Sequence, residues 1–144
     1  MKKSLFYILS FTWGLPLTLI GLIVAMVLRI CGYKPQKHGY CFYFEVGENW
    51  GGLELGIVFL TNKNPTTYIK NHEHGHAIQN CYFGFLMPFI VSIPSAIRYW
   101  YRRIRAVKGL RNETSYYDIW FEAQASELGS ELYEKVFKNE GENK

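Results

Sequence analysis

Residues Tyr68 to Cys81 read YIKNHEHGHAIQNC, and the five in the middle, His72-Glu73-His74-Gly75-His76, set the demands that the rest of the chain has to meet. The stretch has helical composition, with Ile69, His72, His76 and Asn80 recurring about once per turn. In front of it, Thr61 to Thr67 (TNKNPTT) supplies turn residues and helix caps. Two histidines four residues apart on a helix stand side by side, so both rings can reach one metal ion. Imidazole nitrogens bind Zn2+ at about 2.0–2.1 Å, and His72 and His76 are the predicted ligands.

Glu73 lies about 100° around the helix from His72 and about 60° from His76 in the other sense. Its carboxylate is near the metal without being forced to bind it, which is the position of a general base. A bound zinc acidifies water and polarises a carbonyl, and Glu73 is placed to take the proton. The implied reaction is amide hydrolysis, and a peptide or protein is the expected substrate, because this motif serves proteolysis most often. His74 is about 200° from His72 and points away from the same metal; it reads as a surface residue or a support behind the ligands. Gly75 costs helix propensity in mid-helix, which predicts another element packed closely on that face.

A catalytic zinc keeps three protein ligands and one open position, so the chain should supply one more donor downstream. Glu122 is the candidate. It sits in WFEAQAS (Trp120 to Ser126), a carboxylate among apolar and small residues where burial is costly unless the charge is paired or bound to metal. Glu113, Asp118 and Glu127 have more polar neighbours and read as solvated.

At these residues the sequence resembles the gluzincin metallopeptidases, whose histidines and base come from H-E-x-x-H and whose third ligand is a glutamate on a later helix. His72, Glu73, His76 and Glu122 match that pattern one by one. The runs HEHGHAIQNCYFG, IPSAIRYW and WFEAQASELG also resemble small bacterial membrane proteins carrying a zincin motif. In membrane-associated gluzincins an aspartate four residues after the glutamate supports a ligand histidine, whereas here that position is Ser126. A hydroxyl can hydrogen-bond an imidazole but brings no charge, so the resemblance implies that the support there is weaker or comes from another residue. It also implies an edge strand that pairs with extended substrate, for which Leu53 to Leu60 is the segment available.

The remainder of the chain points to a bilayer. At 144 residues it is one modest domain. With 49% hydrophobic, 17% aromatic and 19% charged residues it is greasier than an ordinary soluble domain. Ser4 to Ile30 carries no charge until Arg29 and is long enough to cross a hydrocarbon core of about 30 Å. A cleaved signal has a shorter apolar region and a small-residue cleavage site, so this segment is expected to remain. Gly14-Leu15-Pro16 predicts one kinked span rather than two short ones. Arg98, Arg102, Arg103, Arg105, Lys108 and Arg111 form the densest part of a net charge of +4, and such a cluster beside apolar sequence marks the cytoplasmic membrane surface and its anionic lipid. No nucleic-acid motif accompanies them, so nucleic acid is not the expected partner. Cys31, Cys41 and Cys81 have no paired spacing and read as buried, reduced thiols.

The expected fold is therefore α+β and mostly helical, with residues 1–31 a membrane anchor helix and residues 32–144 a zincin-like metallopeptidase domain. Gly32 to Gly39 is the loop leaving the membrane. Tyr40 to Val46 and Leu53 to Leu60 form a β-hairpin around a glycine-rich turn, and the motif helix follows. Cys81 to Ile97 is a buried or re-entrant helix, too short and too rich in proline for a simple crossing. A last helix runs from Ser115 to about Phe137 with Glu122 on it, and Glu140 to Lys144 should fray. His72 and Glu122 can share a metal only if Cys81 to Ile97 does not carry the chain across the bilayer. The expected function is a membrane-associated zinc peptidase. The alternatives are a zinc-binding adaptor without turnover and a metal-free protein that binds lipid or a partner.

Overall fold

In the computed structural model, which describes residues 1–138, the apolar N-terminal block breaks in two. Helix α1 (Lys3–Phe11) and helix α2 (Leu15–Ile30) meet at 92°. Pro16 lies in the first turn of α2, where its missing N–H costs nothing but where its ring prevents the upstream helix from running through. The Gly14 N–H turns back onto the Leu9 carbonyl at 2.8 Å and closes the break. The single kinked span expected over Ser4 to Ile30 is thus two short helices. No single helix among the described residues is long and apolar enough to cross a membrane. Phe6, Leu17 and Gly21 are buried against the rest of the chain, whereas Ile8, Ile23, Met26 and Ile30 stay exposed.

A four-stranded sheet follows, with strands β1 (Gln36–His38), β2 (Cys41–Glu45), β3 (Gly52–Leu55) and β4 (Val58–Thr61) in the order β1-β2-β4-β3. The loop expected at Gly32 to Gly39 therefore contains a strand, which pairs antiparallel with β2. The expected hairpin between Tyr40–Val46 and Leu53–Leu60 does not form, because LELGIVFL itself folds back at Gly56-Ile57. Gly56 takes φ +73, a left-handed conformation that glycine adopts without penalty. The hairpin is β3 with β4, and β4 returns to lie parallel to β2, placing Tyr43 opposite Phe59. Strand β3 is left at the edge with one neighbour.

Helix α3 (Thr67–Phe83) begins at Thr66, whose side chain accepts the Ile69 N–H. Every residue from Asn71 to Cys81 is buried, so this is the central helix of the domain rather than a surface one, and its polar side chains must find partners inside. After Gly84 the chain bends by 114° through short turns at Gly84–Leu86 and Pro88–Ser92 into helix α4 (Ile93–Val107). Cys81 to Ile97, expected as a buried or re-entrant helix, is not one continuous helix but is broken by this bend: Met87 and Val91 are buried in it, whereas Phe85, Phe89, Ile93 and Ile97 are exposed.

Ser115 does not open the last helix. It caps a single turn, Tyr116–Asp118, with the Asp118 carboxylate accepting the Ser115 N–H at 2.7 Å. Ile119 is extended, and helix α5 (Trp120–Leu132) starts after it, continuing as a wider turn over Tyr133–Lys138. The tail from Glu140 to Lys144 lies outside the described residues. Cys41 and Cys81 are buried as expected, but Cys31 is exposed, and all three are free thiols.

Helices α3 and α5 touch backbone to backbone. A Cβ on Gly75 would fall 1.8 Å from the Ala125 carbonyl oxygen, and one on Gly129 would fall 1.7 Å from that of Asn71. The close packing predicted from Gly75 is this crossing, and it sets how near Glu122 comes to the histidines.

Candidate metal centre and its cleft

His72 and His76 project from one face of α3, and Glu122, 0% exposed in the first turn of α5, meets them. The His72 and His76 Nε2 atoms are 3.1 Å apart, and the Glu122 Oε2 lies 3.0 Å from the first and 3.3 Å from the second. A divalent ion with bonds of about 2.0–2.2 Å in tetrahedral geometry separates its ligands by about 3.3–3.6 Å. The three atoms thus stand almost at the edges of such a polyhedron, and the buried cluster could hold a metal ion.

The partners behind the rings fix which nitrogen faces the cluster. Gln79 uses both amide hydrogens, one on the Phe121 carbonyl at 2.8 Å and one on the Gln124 side-chain oxygen at 2.9 Å. Its own oxygen can then only accept, and it takes the His76 Nδ1–H at 2.8 Å. The Ser126 hydroxyl donates to the Glu122 backbone carbonyl at 3.1 Å and so accepts the His72 Nδ1–H at 2.9 Å. Both imidazoles consequently offer a bare Nε2 inward. On the far side, the other Glu122 oxygen accepts the Ser95 hydroxyl of α4, which also meets the Tyr116 hydroxyl.

Three acceptors aimed at one point call for a positive charge between them. Burial works against charge on His76, but the carboxylates of Glu122, Glu73 and Glu54 outweigh it and push its pKa up to about 9. Burial likewise opposes ionisation of Glu122, and its contacts with His72, His76 and the Ser95 hydroxyl overcome it, holding the carboxyl well below the usual range. The cluster is built to attract a cation, either a proton on His76 or a metal ion in its place.

Glu73 is buried on the same helix, with its carboxylate packed against Gly52 of the edge strand, where a Cβ would fall 2.3 Å from Oε1. Burial raises its pKa, with the charges of His72 and His76 pulling the other way. The four residues singled out from the sequence therefore share one site. Glu113, Asp118 and Glu127, read as solvated, are exposed.

His74, expected at the surface or as a support behind the ligands, takes neither position. It is fully buried on the opposite face of α3, packed edge-on to Phe6 and Tyr40, and its Nε2 accepts the Tyr40 N–H at 3.4 Å. Burial, and then the neighbouring His38, push its pKa down to about 3, so it is a neutral core histidine.

Other participants were not apparent in the sequence. Glu54 of β3 is buried in the cleft wall and accepts the Gly56 N–H. Burial lifts its pKa to about 8, with His76 and the Gly56 bond opposing the rise; its sign in the chain was a lone carboxylate in LELGIVFL. Gln79 follows His76 by three residues, a helical neighbour. Tyr117 stands edge-on to His72 at 5.1 Å. Ser95 and the adjacent pair Tyr116 and Tyr117 come from two segments that no local spacing connects to α3.

A cleft of about 690 Å3 opens over the cluster, walled by Trp50 to Glu54 on the sheet side and by Ser95, Tyr99 and Arg103 on the α4 side, with His72, Glu73, His76 and Glu122 at its floor. The edge expected within Leu53 to Leu60 is narrowed to β3, since β4 lies inside the sheet. No family model, curated protein or solved structure matches the chain.

Proposed function

We propose that the chain is a zinc-dependent peptidase held at a membrane surface. The observation that carries this reading is the convergence of the His72 and His76 Nε2 atoms and the Glu122 Oε2 within 3.3 Å of one another, beside an unused carboxylate and under an open cleft. Two neutral imidazoles and one carboxylate are a donor set that zinc favours. When bound, zinc would acidify water and polarise the carbonyl to be cleaved. The chain's own residues do the rest. Gln79 and Ser126 hold the imidazole tautomers, Ser95 orients Glu122, and Glu73 accepts a proton at its carboxylate with a pKa that burial has moved toward neutrality. The free edge of β3 borders the cleft, so an extended peptide can pair with its backbone while its carbonyl reaches the floor. The exposed apolar faces of α1 and α2 supply the attachment to lipid.

Elemental analysis and hydrolysis of an unfolded protein substrate test this together. Wild type should carry one zinc, His76→Ala and Glu122→Ala should carry none, and Glu73→Gln should keep its metal while losing at least about 100-fold in rate. Purified wild type without stoichiometric zinc ends the reading. Zinc bound with no turnover, unaffected by Glu73→Gln, converts it to a metal-binding adaptor.

A further inference from the structure

Helix α4 poses a separate problem: not one of its fifteen side chains is buried. An isolated helix of that length is marginal in water, and helices in proteins are held mainly by packing an apolar face. Here that face exists without a protein partner. Ile93, Ile97, Trp100, Tyr101, Ile104 and Val107 are exposed, from 49% at Ile93 to 84% at Val107. At about 100° per residue they fall within an arc of about 120°, one continuous stripe. Phe85 and Phe89 in the preceding bend are exposed as well.

The flanks of the stripe carry one sign of charge. Arg98 and Arg105 project on one side, Arg103 on the other, and Lys108 and Arg111 follow at the C-terminal end. Between Cys81 and Asn112 there is no acidic residue. Among the described residues none of the six cations is paired with a carboxylate; Arg98, Arg102 and Arg105 instead donate to backbone carbonyls at Ser115, Tyr116, Thr114 and Arg111. A second copy would set these cations against themselves, and a nucleic acid would leave the apolar stripe uncovered. A surface that is apolar inside and anionic at its rim satisfies both.

We propose that α4 lies in the plane of an anionic lipid surface, its stripe among the acyl chains and its arginines and Lys108 among the head groups. The assignment rests on α4 alone and not on the metal reading. Because Ser95, Ala96, Tyr99, Arg102, Arg103 and also Trp100, at the border of the stripe, wall the cleft from the same helix, docking brings the mouth of the cleft to head-group level. A chain that enters it would approach along the membrane surface.

The test uses the full chain with Cys31→Ser, leaving only the buried Cys41 and Cys81, and a nitroxide attached at Ile97→Cys or Ile104→Cys, with Lys63→Cys as a solvent reference. In equimolar phosphatidylcholine–phosphatidylglycerol vesicles, the labels on α4 should be relaxed by oxygen and protected from a water-soluble nickel chelate, while Lys63 shows the reverse. Lys108→Gln with Arg111→Gln, both outside the cleft, should lower the preference for these vesicles over pure phosphatidylcholine by about 25-fold, at about fivefold per cation. Labels as open to nickel as Lys63, labels shielded from both reagents as in a protein interface, spin–spin broadening from a second copy, or an unchanged lipid preference would each overturn the proposal.

Discussion

Gly75→Ala is the most direct probe of how the candidate metal centre is assembled. The added methyl would sit 1.8 Å from the Ala125 carbonyl oxygen, and ordinary contact begins at 3.4 Å, so α5 must retreat by roughly 1.6 Å (3.4 − 1.8) along the line between them. Neither partner can yield locally, since the atoms in conflict are backbone on both sides. Glu122 precedes Ala125 by less than one turn of the same helix and moves with it. Its Oε2, now 3.0 Å and 3.3 Å from the two imidazole nitrogens, would leave the tolerance of about 0.2 Å that metal bonds allow. The expected result is a stability loss of about 1–3 kcal/mol from overpacking, with metal affinity lowered by at least about 100-fold, more than loss of a supporting partner costs. Chelator competition gives the affinity and urea denaturation the stability, with Ala123→Ser on the exposed face of α5 as control. Gly129→Ala, 1.7 Å from the Asn71 carbonyl oxygen, should reproduce both losses from the other end of the contact. Wild-type affinity in a folded Gly75→Ala protein would refute the idea that this glycine crossing sets the distance from Glu122 to the histidines.

Three further outcomes follow from individual contacts. Ser126→Ala removes the acceptor of the His72 Nδ1–H and should weaken metal binding by about 10–100-fold while the fold survives, as chelator competition and circular dichroism would show. Gln79→Ala strands the buried His76 Nδ1–H, at about 1–3 kcal/mol for a group left unpaired, and also removes the bonds to the Phe121 carbonyl and the Gln124 side chain, so its denaturation midpoint should fall further than that of Ser126→Ala. His74 has its pKa lowered from 6.5 to about 3, so the unfolded chain binds a proton that the folded one refuses. Stability should therefore be complete above pH 6.5 and decline as the pH falls toward 3, by at most about 4–5 kcal/mol. His74→Leu should remove that part of the acid sensitivity even if it is less stable at pH 7, and an unchanged pH slope would sink the assignment.

Local spacing was enough to bring the polar side chains of α3 together. His72, Glu73 and His76 lie within a little more than one turn, so a helix of any tertiary setting presents them together. Gly75 announced a close neighbour for a similar reason: a residue that weakens a helix in mid-course is kept where no side chain fits. Glu122 was legible only as an anomaly, a carboxylate in apolar company, and the chain alone contains nothing that measures its distance from His72. That distance came from the crossing of α3 and α5 at Gly75 and Gly129. The angle between His74 and His72 set it apart from the cluster, but it could not show that a helix buried from Asn71 to Cys81 has no surface face to give it.

The sequence by itself determined the donor types, their spacing along α3, and the α+β, mostly helical character, because hydrogen-bond periodicity and side-chain chemistry act over a few residues. Only the tertiary structure decided that LELGIVFL folds into two strands with β4 inside and β3 at the edge, that the N-terminal block breaks by 92°, and that Ser95, Gln79 and Ser126 stand behind His72, His76 and Glu122. Those outcomes depend on which backbones pack against which, a competition among segments distant in the chain that no single segment records.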